Sequence, residues 1–281
     1  MQGGNSVDEV KFLEYKAKEI RCLTSKMFLS AGFGHLGGAF SIVEALSVLF
    51  FKYMKDDPKD WFVLSKGHSG PSYYATLSLK GYIKTEDLMK LNQNGTIVPS
   101  HPDRLKTPGV DCSTGSLGQG ISQAVGLAYG LKVQNKLGNV YCIVGDGEFN
   151  EGEVWEALQF AYNKKLDNLI IFVDNNKKQV DGYTKDVSCN FDFEKIGELF
   201  KFNTIIIDGN SIEEVNESIK NAIDEKEKAS FIVMNTIKGC GIKYFEESDN
   251  CHHVRIGKKE EEVLKEAVNN WEKEFGEYEN K

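Results

Sequence analysis

The sequence predicts an α/β protein built as a three-layer, doubly wound, mainly parallel sheet. Short apolar runs rich in β-branched and aromatic residues recur at 62–64, 140–144, 169–173, 204–207 and 231–234. The runs are continuous rather than alternating, the pattern of strands buried on both faces. Amphipathic segments at 119–137, 151–165, 211–227 and 258–275 occupy most of the gaps between or after them, as helices covering such a sheet must.

Taken in order, residues 8–31 place Val10, Leu13, Tyr15, Ala17, Ile20, Leu23 and Met27 at helical spacing, and the glycine-rich AGFGHLGG is expected to end that helix. A second helix is expected over 41–54, and the run at 62–64 opens the sheet. All five prolines (58, 71, 99, 102 and 108) fall between 58 and 108. The run at 140–144 leads into Gly145-Asp146-Gly147, with a helix starting near Asn150 or Glu151, and the run at 169–173 ends at Asp174-Asn175-Asn176. The charged tail from Lys258 is expected to form a solvated helix with Leu264, Val268, Trp271 and Phe275 on its inner face. No internal repeat, low-complexity tract or Pro/Ser-rich linker interrupts the chain, so a single domain over 1–281 is expected.

Composition excludes several classes of function. Of 281 residues, 41% are apolar and 27% charged, as in ordinary globular proteins and unlike disordered or fibrous chains. The 34 basic and 42 acidic residues give a net charge of -8, which argues against a nucleic-acid binder. No stretch approaches the ~18 consecutive apolar residues of a membrane span. The polar opening MQGGNSVDEV lacks the features of a signal peptide, so a cytosolic protein is expected. The cysteines at 22, 112, 142, 189, 240 and 251 contain no C-x-x-C and read as reduced thiols. Cys240, Cys251, His252 and His253 do not have the closely spaced ligand pairs that zinc knuckles favour.

The strongest chemical signal lies at two successive strand ends. Asp146 and Asn176 are 30 residues apart, about one β-α-β unit, so both should face the crevice beyond the carboxyl edge of the sheet. The flanking Gly145 and Gly147 let a phosphate approach the backbone. Hard oxygen ligands beside a phosphate site suit Mg²⁺. Asp-Gly and Asn-Asn are also ordinary turn formers, but their occurrence together at consecutive strand ends favours the functional reading.

GDG at 145–147 and NN at 175–176 resemble the thiamine diphosphate signature. Longer strings narrow the resemblance: GHLGG (34–38), LSKGHSGPSYYA (64–75), SHPD (100–103), TPGVDCSTGSLGQGISQAVGLA (107–128), GDGEFNEGEVWEA (145–157) and DNNKKQVDG (174–182). Together, and in this order, they resemble the amino-terminal subunit of a split, two-chain transketolase, from about residue 10 to at least residue 253.

The resemblance implies a site. Asp146, the Asn176 side chain and the backbone carbonyl of Lys178 would bind Mg²⁺, or Ca²⁺ or Mn²⁺ in its place. Gly147 and His68 would contact the diphosphate, with Glu148 and His35 in the same cofactor-binding set. Gly115 and Leu117 would abut the aminopyrimidine. His35 and His101 would line the substrate channel, and Glu151 would support a catalytic glutamate across a subunit interface. Glu151 can equally be a helix-start carboxylate complementing the dipole. The last family histidine is either His252 or His253: Cys251 replaces the usual Trp, and the usual Pro is absent from VRIGK.

The resemblance also implies an activity and a partner. The cofactor carries the hard chemistry and the protein orients it, but in the family the catalytic glutamate lies in a separate pyrimidine-binding domain. That domain is expected on a partner chain, in an α2β2 assembly, transferring a two-carbon ketol group from a ketose phosphate to an aldose phosphate. The alternatives are a two-chain transketolase for an unusual sugar, a 1-deoxyxylulose-5-phosphate synthase-like enzyme, and a non-catalytic homologue.

Overall fold

The computed structural model describes residues 6–279. In chain order the strands are β1 (Phe33–Gly34), β2 (Trp61–Leu64), β3 (Val140–Gly145), β4 (Leu169–Asn175), β5 (Asn203–Asp208), β6 (Ser230–Asn235) and β7 (Val254–Arg255). Five form one parallel sheet in the order β2-β3-β4-β6-β5, while β1 and β7 pair as a separate antiparallel ribbon. All five predicted strands are present, but β5, at the edge of the sheet, is not buried on both faces as expected: Ile207 joins a core while Ile206 is exposed.

The unbroken apolar runs have a direct explanation. Alternate strand residues enter two different cores: Tyr141, Ile143, Ile170 and Phe172 join one, while Cys142, Val144, Ile171 and Val173 join the other. A strand that supplies two cores has no polar face to display. The helices Gln119–Val133, Gly152–Lys164 and Phe193–Leu199 cover the second core, and Ser6–Ala31, Gly70–Leu79, Ile212–Asp224 and Lys258–Glu279 cover the first.

Beyond their carboxyl ends, β3 and β4 send the chain to the second core and β2 and β6 send it to the first. The sheet thus has two switch points, one on each side of the β3/β4 pair. Diverging connections leave a crevice at such points, where open parallel sheets bind ligands.

The segment expected as one helix over 41–54 is instead broken. Leu36–Phe40 and Val43–Val48 are short helices, and Leu49–Tyr53 is a widened π-turn in which the Met54 N–H reaches the Leu49 carbonyl at 2.8 Å. Every residue from Leu36 to Phe50 is buried, so packing on all sides sets the path and no amphipathic stripe enforces a continuous helix. The glycine-rich GHLGG therefore ends one helix and begins another.

The helix Lys258–Glu279 lies against Ser6–Ala31, with Leu264, Val268 and Trp271 buried and Phe275 edge-on to Tyr15. Its surface ion pairs, Lys18 with Glu274 and Lys26 with Glu272, are half exposed and so contribute at most ~1 kcal/mol each. Leu264→Ala should therefore cost ~2–5 kcal/mol in denaturant unfolding, whereas Lys18→Ala should cost less than ~1 kcal/mol.

Candidate functional site

A cavity of about 330 Å³ opens across the ends of β2, β3, β4 and β6. Its walls include His35, His68, His101, Gly115, Leu117, Asp146, Gly147, Glu148, Glu151, Asn176, Lys178 and His252, so all but one of the residues singled out in the sequence converge here.

The centre is oxygen-rich. Asp146 is buried directly beyond β3, where its carboxylate accepts from the N–H groups of Gly147 and Lys177, both at 2.8 Å, and from Thr184 Oγ1 at 3.2 Å. Burial, reinforced by the charge on Asp174, pushes the Asp146 carboxyl up to about 6. A carboxylate held this way gains from an added cation. The pairing of Gly145 with Asp174 sets Asp146 beside Asn176 at the neighbouring strand end. Asn176 Nδ2 donates to Asp174 at 2.8 Å, and because a carboxylate only accepts, the amide orientation is fixed with Oδ1 turned the other way. The Lys178 side chain points away, with Nζ donating to the Ser248 carbonyl at 2.7 Å, while its own carbonyl faces Lys238. One carboxylate, one amide oxygen and one carbonyl are a donor set that fits Mg²⁺.

Glycines shape the walls. A Cβ on Gly67 would stand 2.8 Å from the Gly115 backbone nitrogen, and one on Gly115 would stand 2.9 Å from the His101 ring. These positions let the loops after β2 and before Gln119–Val133 meet backbone to backbone. Gly37 meets Cys251 in the same way, its N–H donating to the Cys251 carbonyl at 2.8 Å. A compact residue at 251 is what this close approach accommodates.

The histidines cluster. The His35 ring lies 5.7 Å from His68, 5.9 Å from His101 and 5.4 Å from His252. Burial drives each toward the neutral form: His35 falls to about 4, His252 to about 3, and His68 and His101 also fall below the usual range. Neighbouring His253 adds to the effect at His35, and neighbouring lysines at His252 and His68. At neutral pH they are uncharged imidazoles.

Two expectations change in detail, and a third keeps both of its readings. His253 is exposed outside the cavity wall, packed between Phe33 and His35, so it is His252 that faces inward. Glu148 reaches the wall, but its carboxylate accepts from Ser65 Oγ at 2.6 Å and from the N–H groups of Gly118 and Gly145 at 2.9 and 3.0 Å. It is a brace joining β2, β3 and the start of Gln119–Val133. Glu151 is exposed at the start of Gly152–Lys164, a position that satisfies the dipole reading as well.

Sequence reasoning missed Lys66, Asp174 and Lys238. Lys66 and Asp174 form a buried ion pair, and Asp174 also accepts from Ser41 Oγ at 2.7 Å and from Thr236 Oγ1. Burial alone would raise the Asp174 carboxyl, but the Lys66 ammonium and the hydrogen bonds outweigh it and hold it below the usual range. The available signal was charge directly beyond apolar strands: Lys66 after β2, Lys238 after β6, and Asp174 closing the apolar run of β4.

Residues 14–277 match the transketolase, thiamine diphosphate binding domain family. The chain belongs to the transketolase family. It is 42% identical to the 6-deoxy-6-sulfo-D-fructose transketolase subunit SqwG of Clostridium sp. (strain MSTE9), over 93% of this chain and 97% of that protein. It is 39% identical to an apulose-4-phosphate transketolase subunit from Actinobacillus succinogenes, over 86% and 90% respectively. The solved transketolase of Campylobacter jejuni superposes with a TM-score of 0.85 at 31% identity, covering 92% of this chain and 43% of that one. The chain thus spans about two-fifths of the length of that transketolase, and nearly all of the two subunits. Its fold is the thiamine diphosphate-binding one, and thiamine diphosphate is its cofactor.

The histidine shifts set a pH dependence. Between pH 6.5 and about 4 the unfolded chain takes up protons at the positions of His35 and His252 that the folded chain does not. Stability should be full above 6.5 and fall as pH falls through this window. Asp146, raised from 3.8 to about 6, and Glu148 and Asp60, also raised by burial, have the opposite sign and offset part of this fall. Thermal unfolding at stepped pH should show the fall, and His252→Gln should make it shallower.

Proposed function

We propose that this chain is the diphosphate-binding subunit of a two-chain transketolase, which moves a two-carbon ketol unit reversibly from a ketose to an aldose, each bearing a terminal anionic group. The observation that carries the proposal is that Asp146, Gly147, Asn176 and Lys178 line one cavity at adjacent strand ends. These groups would hold Mg²⁺ and, through it and His68, the diphosphate. Thiamine diphosphate, when bound, supplies the nucleophilic carbon that takes up the two-carbon unit.

The chain's own residues have narrower tasks. His35, His101 and His252, being neutral, hydrogen-bond to sugar hydroxyl or carbonyl oxygens without adding charge. Gly115 and Leu117 support the pyrimidine side, and Glu151 lies where a second chain can reach it. The three lysines of the cavity are committed, Lys66 to Asp174, Lys178 to the Ser248 carbonyl, and Lys238 to the Lys178 carbonyl and His252. A sugar phosphate or sulfonate therefore needs cations from elsewhere. That requirement supports a partner subunit carrying the pyrimidine-binding domain, in an α2β2 arrangement. The relatives acting on a sulfosugar and on apulose-4-phosphate support a specialised ketose as substrate.

Calorimetric titration of thiamine diphosphate with Mg²⁺ into the chain together with its partner tests the reading. Asp146→Ala should weaken binding by at least about tenfold, or 1.4 kcal/mol. Equal binding by Asp146→Ala and the unsubstituted complex would remove the proposed metal site. Ketol transfer by this chain alone at an enzymatic rate would overturn the need for a partner.

A further inference from the structure

Lys238 Nζ lies 3.0 Å from His252 Nδ1 and donates at 2.6 Å to the carbonyl of Lys178. An alkylammonium has three N–H donors and no acceptor, so the ring nitrogen facing it must offer a lone pair. A neutral imidazole with a bare Nδ1 carries its proton on Nε2. We infer that Lys238 is a positioning residue for His252, fixing its Nε2–H tautomer so that the ring presents a hydrogen-bond donor to an oxygen of the bound sugar.

The surroundings agree. Lys238 is itself buried and held by the Lys178 carbonyl, so its ammonium cannot swing away to solvent without losing that bond. His252 Nε2 has no hydrogen-bond partner among the described residues, on a ring that forms part of the cavity wall. A half-buried donor left unmet by its own chain is available to a ligand. The ring's low basicity, caused by burial and then by Lys238, keeps it neutral, the condition under which tautomer choice matters. Neighbours His35 and His68 lie 5.4 and 4.9 Å away, centroid to centroid, and are neutral too, so the donor-acceptor pattern of the cluster depends on which nitrogen of each ring holds its proton. Among the described residues, a lysine decides this at His252 alone. The donation to a sugar oxygen rests on the function proposed above, whereas the tautomer stands on the geometry alone.

Long-range ¹H–¹⁵N correlation spectra of the full chain, labelled with ¹⁵N-histidine and recorded near neutral pH, test the inference without cofactor or partner. His252→Gln assigns the resonance. The unsubstituted chain should show His252 as a single tautomer with a bare Nδ1 and a protonated Nε2. Lys238→Met, apolar and close in shape, should lose this single pattern and give an averaged mixture. Lys238→Arg, which again has donors only, should keep it. A proton on Nδ1, a tautomer mixture in the unsubstituted chain, or an unchanged pattern in Lys238→Met would overturn the inference. The unsubstituted spectrum decides even where Lys238→Met does not fold. A wrong tautomer with intact cofactor binding would remove this inference alone. Absent cofactor binding with the expected tautomer would remove the proposed function and leave the role of Lys238 in setting the ring.

Discussion

The buried pairing of Lys66 with Asp174 is the interaction on which the arrangement at the sheet's end depends. Removing two charges from water costs several kcal/mol per ion, and attraction offsets this only where further hydrogen bonds complete the shell. Here they do. Asp174 takes donors from Ser41, Lys66, Asn176 and Thr236, and Lys66 also donates to the Gly38 carbonyl at 3.1 Å. These contacts tie the GHLGG turn to the ends of β2, β4 and β6. With its oxygens occupied in this way, Asp174 orients the neighbouring Asn176.

Charge within the cavity is arranged by the same logic. The charge on Asp174 raises the cost of ionising Asp146, and the ammoniums of Lys66 and Lys238 counter it. Lys238 feels the competing burial and the charge of Lys66, and its basicity falls to about 8. The histidines then add no charge, leaving an interior close to electrical balance among its own side chains. Such a site can accept a divalent cation together with a polyanion at little net electrostatic cost, while an unaccompanied anion finds no free countercharge.

Much of this was legible in the sequence, for identifiable reasons. Strands β2, β3, β4 and β6 had continuous apolar runs because each feeds two cores, and that pattern needs no tertiary information. Asp146 and Asn176 stood out because strand ends are readable and their linear separation matches one supersecondary unit. The path from Leu36 to Phe50 was not legible, since full burial erases the periodicity that marks a helix. Lys66, Asp174 and Lys238 escaped because their meaning lies in partners distant in sequence, Lys66 and Asp174 being 108 positions apart. His252 and His253 could not be separated by counting, because the distinction is which ring turns inward.

The pairing of β3 with β4 places Gly145 opposite Asp174, and so fixes the distance between the two oxygen-bearing positions that follow. The ladder, and not the length of chain joining the strands, is what sets that distance. The helix Gly152–Lys164 and its connections can therefore drift in length, charge and surface contacts over evolutionary time while Asp146 and Asn176 stay in place. This separates two kinds of change: the outer helix can vary in what its surface meets without disturbing the oxygen-bearing positions at the strand ends.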